Sequence, residues 1–519
     1  MTRSEENRAE ELQDVSPAVK VGPGLFNRVL SLGAFASGLA YLSIRFVLRD
    51  RLFDNTILNF VVPGIFYIFA TTVFSFGAWR LLNNRKDTGS GRSALEYTVL
   101  LAIPVLALVS LPAFARHFTA GLASLVDVWS PRGTIYKWDS RGFAIIQERY
   151  KLQDLHRKGD EVAHLAAAQA IMVSHASPAI LRKLTTNSQP REFRYDRQYW
   201  LNRALRGHPP GLAMLYAMAS WNAPFARVMA LVLTCLIAVI AFWAGNRWDP
   251  TQKLGLLMLG FFVGVPNLIW WHAMSVSSDL PPCLFTYGAF GILAGVAAAK
   301  PFNAKSDYHS SAQVVLAGIL LALGTFVTYT GALATGAATL LILTQAGYPR
   351  KISAVAWVLI PTVVALLVGV WYSWLIFSDG NHLLLARVTS FTNPEATAGF
   401  ISGWRAAAIF VKRLPMDLGW PMVVLLFGGV AWQIFRRDTS FFRRASELCI
   451  AAVVLVPAAT FFWPEIRFAY PGWLFVVHGL GLPHIWRHMH ALDKSLVFGT
   501  LMSFSYCKFV LLRLAVPVG

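Results

Sequence analysis

Long apolar segments recur along most of the chain, and short polar turns separate them. A helix of about 20 apolar residues crosses the roughly 30 Å of bilayer hydrocarbon. The pattern therefore predicts an all-α, polytopic transmembrane helix bundle of about thirteen spans. A break at Thr328–Gly331 divides one long apolar stretch into two of these. The expected bounds are 28–46, 57–79, 97–118, 225–245, 254–273, 281–299, 311–328, 331–346, 354–377, 420–435, 446–463, 468–486 and 495–513.

Composition excludes a soluble domain. The 519 residues are 55% hydrophobic and only 14% charged, whereas soluble domains average about 25% charged residues. Four cysteines without a CxxC pair exclude a disulfide scaffold, a zinc ribbon and an iron–sulfur protein. The net charge of +19 is expected in loops that meet anionic lipid headgroups, so membrane lipids are predicted partners and nucleic acid is not.

Loop charge sets the expected orientation. Residues 1–26 are polar and lack a signal-peptide pattern, so we expect a cytoplasmic N-terminal tail. With that tail inside, the short inner loops carry sixteen Lys and Arg residues and the short outer loops carry four. This bias follows the positive-inside rule and places the C-terminus outside. Residues 27–96 then form two N-terminal helices before a main membrane module at 97–519.

Most of the unusual polar chemistry falls on the predicted outer face, in loop 119–224, Ser275–Pro282, loop 378–419 and Trp463–Pro471. The spans themselves contain few ionisable residues, which disfavours an ion-coupled transporter.

Loop 119–224 is too long for a passive connector. Phe143–Leu155 and Val162–Met172 show helical apolar spacing interleaved with polar residues, which predicts amphipathic helices on the bilayer surface. A structural cap over the bundle is the alternative interpretation of this loop.

Four short motifs on this face, in this order, resemble the GT-C superfamily of membrane glycosyltransferases, in particular the PMT/ArnT-like family. The resemblance covers roughly residues 97–490 and implies a GT-C-like fold and a donor sugar linked to polyprenyl or dolichyl phosphate. The motifs are Gly207-His208-Pro209-Pro210-Gly211, Ser278-Asp279-Leu280-Pro281, the Gly324–Gly331 break and Arg467-Phe468-Ala469-Tyr470-Pro471.

The resemblance offers two catalytic acids. Trp138-Asp139-Ser140 with Phe143 is similar to a motif of GPI mannosyltransferase relatives, and Asp160-Glu161 with His164 is similar to the Asp-Glu-x-x-His start of other members. Either Asp139 or Asp160 would remove the proton from the acceptor hydroxyl, which is the role of a general base. Glu161 is then a substrate-binding candidate, while Asp127 and Asp196 are weaker candidates for the base.

The departing lipid phosphate needs cationic donors. Arg467 is the first choice for this contact, and Lys412 and Arg413 are second choices; Arg467 could instead snorkel to the interface or pair with Glu465. His208 is expected to bind sugar or phosphate, or else to mark a helix-entry turn. Asp279 is expected to line the same cavity and could hold a divalent cation (Mg²⁺ or Mn²⁺), or else cap a helix.

The predicted function is an inverting glycosyl transfer from a polyprenyl-phosphate sugar to a glycan, lipid or protein acceptor. The expected location is a bacterial inner membrane with the site on its outer face; an ER membrane is less favoured because the chain has no Asn-x-Ser/Thr sequon. No nucleotide-binding or serine-hydrolase motif is present. A non-enzymatic lipid or polysaccharide flippase is the alternative function.

Overall fold

A computed structural model gives the structure of the protein. It describes residues 23–48, 52–83, 164–165, 167–172, 174–185, 204–219, 223–249, 251–265, 276–298, 304–345, 348, 351–377, 403–436, 440–460 and 465–515. Every regular element in these ranges is helical. The predictions for the tail before residue 23, for span 97–118 and for the helix Phe143–Leu155 lie outside the described residues.

Sixteen α-helices are assigned in the described ranges. They are α1 Pro23–Leu48, α2 Thr56–Asn83, α3 Pro178–Thr185, α4 Pro210–Tyr216, α5 Ala223–Trp248, α6 Leu254–Val263, α7 Pro281–Ala298, α8 Ala304–Val327, α9 Gly331–Thr344, α10 Lys351–Ile376, α11 Gly403–Asp417, α12 Trp420–Phe435, α13 Phe441–Thr460, α14 Trp473–Gly479, α15 Leu482–His488 and α16 Ala491–Ala515. Short 3₁₀ helices occupy Ala217–Ala219 and Ile466–Gly472.

Five stretches are long and apolar enough to cross a membrane: Gly24–Leu48, Thr56–Asn83, Val228–Trp248, Pro281–Ala298 and Lys351–Ile376. Their outward faces expose large apolar side chains, such as Ile65 and Phe69 on α2 and Leu367 on α10. Apolar side chains on the outside of a bundle are what a lipid environment requires. The chain is therefore a helical membrane protein.

The bundle is held together by long contacts between helices. α16 packs along α2, α8 lies between α7 and α10, and α5 packs on α7 and α6. Glycine permits the closest of these approaches: a Cβ at Gly318 of α8 would overlap the carbonyl oxygen of Trp357 in α10. Small residues of this kind let helices in membranes approach closely.

Contacts between distant residues define two ends of the bundle. At one end, Tyr287 Oη donates to the Tyr470 carbonyl oxygen at 3.0 Å and Lys508 Nζ donates to Met416 O at 2.8 Å; this is the Arg467 end. At the other, Arg487 Nε lies 2.9 Å from Asp249 Oδ2; this is the Arg487 end. Each pair joins segments that the sequence places on the same side of the membrane.

Two expectations for the late spans have different outcomes. The break at 328–331 is confirmed, because α8 ends at Val327 and α9 begins at Gly331. The continuous span 468–486 is wrong. A 3₁₀ helix containing Pro471 leads into α14, and the chain breaks again at Leu480–Gly481, where Gly481 has φ +74°. Glycine adopts this left-handed conformation without steric cost.

Loop segments also pack differently from the expectation. Residues 164–165 and 167–172 are helical, but Leu165, Ala168 and Ile171 are buried inside the protein. They pack against α3, α4 and α10 rather than facing a bilayer surface. Within the predicted outer loop 378–419, residues 403–417 form α11.

Candidate functional site

A cluster of four charged side chains lies at the Arg467 end and is called here the Arg467 cluster. Arg467 Nε is 2.6 Å from Glu465 Oε2, and its Nη1 is 3.5 Å from Asp279 Oδ2. Arg413 Nη1 donates to the other carboxylate oxygen of Glu465 at 3.3 Å. Residues 279, 413 and 465–467 come from three separate segments, so the tertiary fold alone brings these charges together.

Local sequence explains why each segment presents its charge here. Pro281 and Pro282 start α7, because proline suits the first turn of a helix, and Asp279 lies two residues before that start. Glu465 is extended, with φ −131°, and precedes the 3₁₀ helix of Ile466–Gly472. The carboxylate of Asp279 faces Arg467.

Burial differs among the members of the cluster. The side chain of Asp279 is 5% exposed, that of Arg467 27% and that of Arg413 39%. The guanidinium of Arg467 also lies 5.1 Å from the ring centroid of Phe468. Because Asp279 is nearly inaccessible to water, its negative charge depends on Arg467 for compensation. The alternative that Arg467 pairs with Glu465 is confirmed as a contact.

The predicted phosphate contact is compatible with this pairing. A guanidinium carries five N–H donors, so carboxylate partners do not exhaust its capacity. Two arginines share Glu465, and an anion that displaced this carboxylate would meet both guanidinium groups. The cluster is thus a place where a phosphate could exchange with an internal acid.

A histidine pair forms at the same end. The rings of His164 and His208 lie 4.9 Å apart, edge to face. His208 precedes Pro209, whose extended backbone leads into α4. An apolar cluster packs Leu165, next to His164, together with Val276, three residues before Asp279. Sequence neighbours of His164 and of Asp279 therefore belong to one apolar cluster.

The remaining predicted site residues have separate outcomes. Asp139, Asp160 and Glu161 lie outside the described residues. Lys412 is exposed on α11 and makes none of the described contacts within the Arg467 cluster. Arg413 is part of the cluster.

The structure leaves the predicted cation at Asp279 untested. Within the described ranges, no group of three or more His, Cys, Asp or Glu side chains could hold a metal ion. The carboxylate of Asp279 faces an arginine, which is a poor arrangement for a cation ligand. The divalent cation therefore stays a prediction that depends on acids outside these ranges.

A second polar network, at the Arg487 end, was not predicted. Glu447 lies in the second turn of α13 and is buried. Gln433 Nε2 donates to its carboxylate at 2.7 Å, while Arg443 Nε and His484 Nε2 lie 3.4 and 3.7 Å away. The sequence signal was the i, i+4 spacing of Arg443 and Glu447, which places opposite charges on one helix face.

Comparison with known proteins adds no assignment. No protein-family model matches the chain, and no curated protein or solved structure is significantly similar to it.

Proposed function

We propose that the protein is an integral-membrane glycosyltransferase that moves a sugar from a lipid-phosphate donor to an acceptor at the Arg467 end. One observation carries the proposal. The Ser-Asp-Leu-Pro and Arg-Phe-Ala-Tyr-Pro motifs, which resemble separate GT-C motifs, meet through the 3.5 Å pair of Asp279 and Arg467. These two motifs are far apart in the sequence, and a shared binding site would require them to lie together in this way.

The proposed chemistry assigns cations to the leaving group. The acceptor oxygen attacks the anomeric carbon, the bond from that carbon to the phosphate oxygen breaks, and its electron pair stays on the lipid phosphate. Arg467 and Arg413 stabilise the developing negative charge. A direct displacement of this kind inverts the anomeric centre. The acceptor, whether glycan, lipid or protein, supplies a hydroxyl group.

The general base is the acid that takes the acceptor proton. The contact between His164 and His208 supports Asp160 over Asp139, because Asp160 is four residues from His164 and Leu165 shares an apolar cluster with Val276, near Asp279. Asp139 remains the alternative base. We place the site on the outer face of a bacterial plasma membrane, following the charge bias of the loops.

Transport is a second candidate, favoured by the network around Glu447. Ionisable groups buried in a membrane bundle mark ion or substrate pathways. His484, which faces Glu447, lies on α15 just after the helix break at Gly481, and broken helices commonly hold transport sites. A flippase would move a lipid-linked sugar across the bilayer and leave its phosphate bond intact.

Variants separate the two functions. Purified protein in lipid discs is supplied with polyprenyl-phosphate sugars and hydroxyl acceptors, and transfer is measured. Asp160→Asn should lower the rate on the order of 10²–10⁴-fold, as loss of a general base does. Arg467→Lys should raise the donor concentration required, because lysine lacks the two-pronged phosphate contact. The matched control is Arg487→Lys, which alters an arginine–aspartate pair at the opposite end and should leave transfer unchanged.

The results can also reject the assignment. Full activity in both Asp160→Asn and Asp139→Asn would remove the proposed base. Equal effects of Arg467→Lys and Arg487→Lys would show that arginine loss acts through stability and not through the donor.

A further inference from the structure

Helix α11 presents an apolar stripe that the rest of the described protein leaves uncovered. Trp404 is 80% exposed, Val411 is 61% exposed and Ala408 between them is also exposed. At 100° per residue these three side chains lie on one face. Ala406 and Phe410 lie on a different face and are buried against the bundle.

Two cations flank this stripe. Arg405 and Lys412 are seven residues apart, so they project from the same side of α11, about 90° from the apolar stripe. Both are exposed, and neither makes a hydrogen bond or ion pair within the described part of the protein. A helix with an apolar face and adjacent Lys and Arg residues is typical of the membrane interface.

Neighbouring tryptophans indicate the level of that interface. Trp371 and Trp374, each 58% exposed, lie near the end of α10, and Trp420, 43% exposed, begins α12. Tyr372 Oη, near the end of α10, donates to Ala176 O in the segment that precedes α3, part of the loop that the sequence places on the outer face. Tryptophan is enriched at the boundary between acyl chains and headgroups.

We propose that α11 lies in this interface, with Trp404, Ala408 and Val411 among acyl chains and Arg405 and Lys412 on the phosphates of anionic phospholipids. The occupant is lipid and not a second protein, because the exposed cations beside the stripe complement anionic headgroups. The next residue, Arg413, contacts Glu465, so α11 joins the leaflet to the Arg467 cluster. The proposal rests on the fold and does not require the proposed transfer reaction.

The test measures which lipid touches the stripe. A bimane label is attached at Ala408→Cys after Cys235 and Cys449, the two cysteines that are not buried, are replaced by alanine. Protein in lipid discs is then titrated with brominated phosphatidylglycerol or brominated phosphatidylcholine, and bimane quenching gives the relative binding of the two lipids. We expect quenching by both lipids and a preference for phosphatidylglycerol.

Charge variants measure how much the two cations contribute to the preference for phosphatidylglycerol. Each exposed cation near a membrane surface contributes about fivefold to the preference, so R405Q with K412Q should lower it roughly 25-fold. The exchanged pair R405K and K412R keeps both charges and should keep the preference. K412Q alone, with an expected loss of about fivefold, provides the measurement if the double variant does not fold.

Three results would overturn the proposal. Absence of quenching by either lipid would show that α11 is not in the membrane, and chemical cross-linking through position 408 would then identify a second copy as the occupant. Quenching without a preference for phosphatidylglycerol would remove the headgroup contact. A preference that survives R405Q with K412Q would assign it to other cations.

Discussion

Two of the three ion pairs in the Arg467 cluster differ in burial, and this difference gives a quantitative prediction. Asp279 and Arg467 are 5% and 27% exposed at 3.5 Å, whereas Arg413 and Glu465 are 39% and 23% exposed at 3.3 Å. With an effective dielectric constant near 20, the first pair gains about 5 kcal/mol of Coulomb energy before desolvation offsets part of it. The second pair is more exposed to water, where such pairs contribute about 0.2–1 kcal/mol.

Double-mutant cycles measure these two couplings. The first cycle uses Asp279→Asn and Arg467→Met, and the second uses Arg413→Met and Glu465→Gln. The unfolding free energy of purified protein in detergent is followed by titration with SDS. We expect a coupling energy of about 2 kcal/mol for the first pair and below about 1 kcal/mol for the second.

The relative size of the two coupling energies tests the prediction. A first coupling below about 0.5 kcal/mol, which is the usual error of additivity, would show that Asp279 does not depend on Arg467. A larger coupling for Arg413 and Glu465 would contradict the burial argument outright. Either result would remove the structural link between the two motifs.

Three further predictions concern helix packing and the second network. Gly318→Ala should lower the unfolding free energy by about 2 kcal/mol in the same titration, because its Cβ overlaps backbone. The control Gly288→Ala, whose Cβ meets only ordinary contact, should be neutral or stabilising, and equal losses would contradict the close helix approach. Gly481→Ala should lower the stability of the fold more than Gly403→Ala does. Both glycines have a positive φ, but only a Cβ at position 481 would also crowd Gln433. A smaller loss for Gly481→Ala than for Gly403→Ala in thermal unfolding would refute this. Glu447→Gln should destabilise the fold by about 1–3 kcal/mol, because it replaces a buried carboxylate oxygen near Arg443 and His484 with an uncharged amide; unchanged unfolding would show that the network carries no stability.

The sequence predicts the helical membrane bundle because the length and the apolar character of each spanning segment can be read directly from the residues. It also places Asp279, Arg413 and Arg467 on one face through loop charge, and the structure brings these three residues into one cluster. It does not predict that Glu465 joins the two arginines, because that depends on how Ile466–Gly472 packs against α7 and α11. Such contacts depend on tertiary packing.

Two structural features that the interpretation of the sequence missed had recognisable patterns in it. The span 468–486 contains Pro471, Gly479, Gly481 and Pro483, which interrupt a regular helix. The helix α11 has apolar residues at 406, 410 and 414, a spacing of one helical face.

The central claim is that the protein breaks the bond between sugar and lipid phosphate. Proteoliposomes containing the protein and a radiolabelled polyprenyl-phosphate sugar, with an acceptor outside, allow released polyprenyl phosphate and transferred sugar to be counted together. A glycosyltransferase predicts equal amounts of both, with release abolished in the variant that lacks the base. Movement of intact donor across the bilayer without release of polyprenyl phosphate would contradict the claim and identify a flippase.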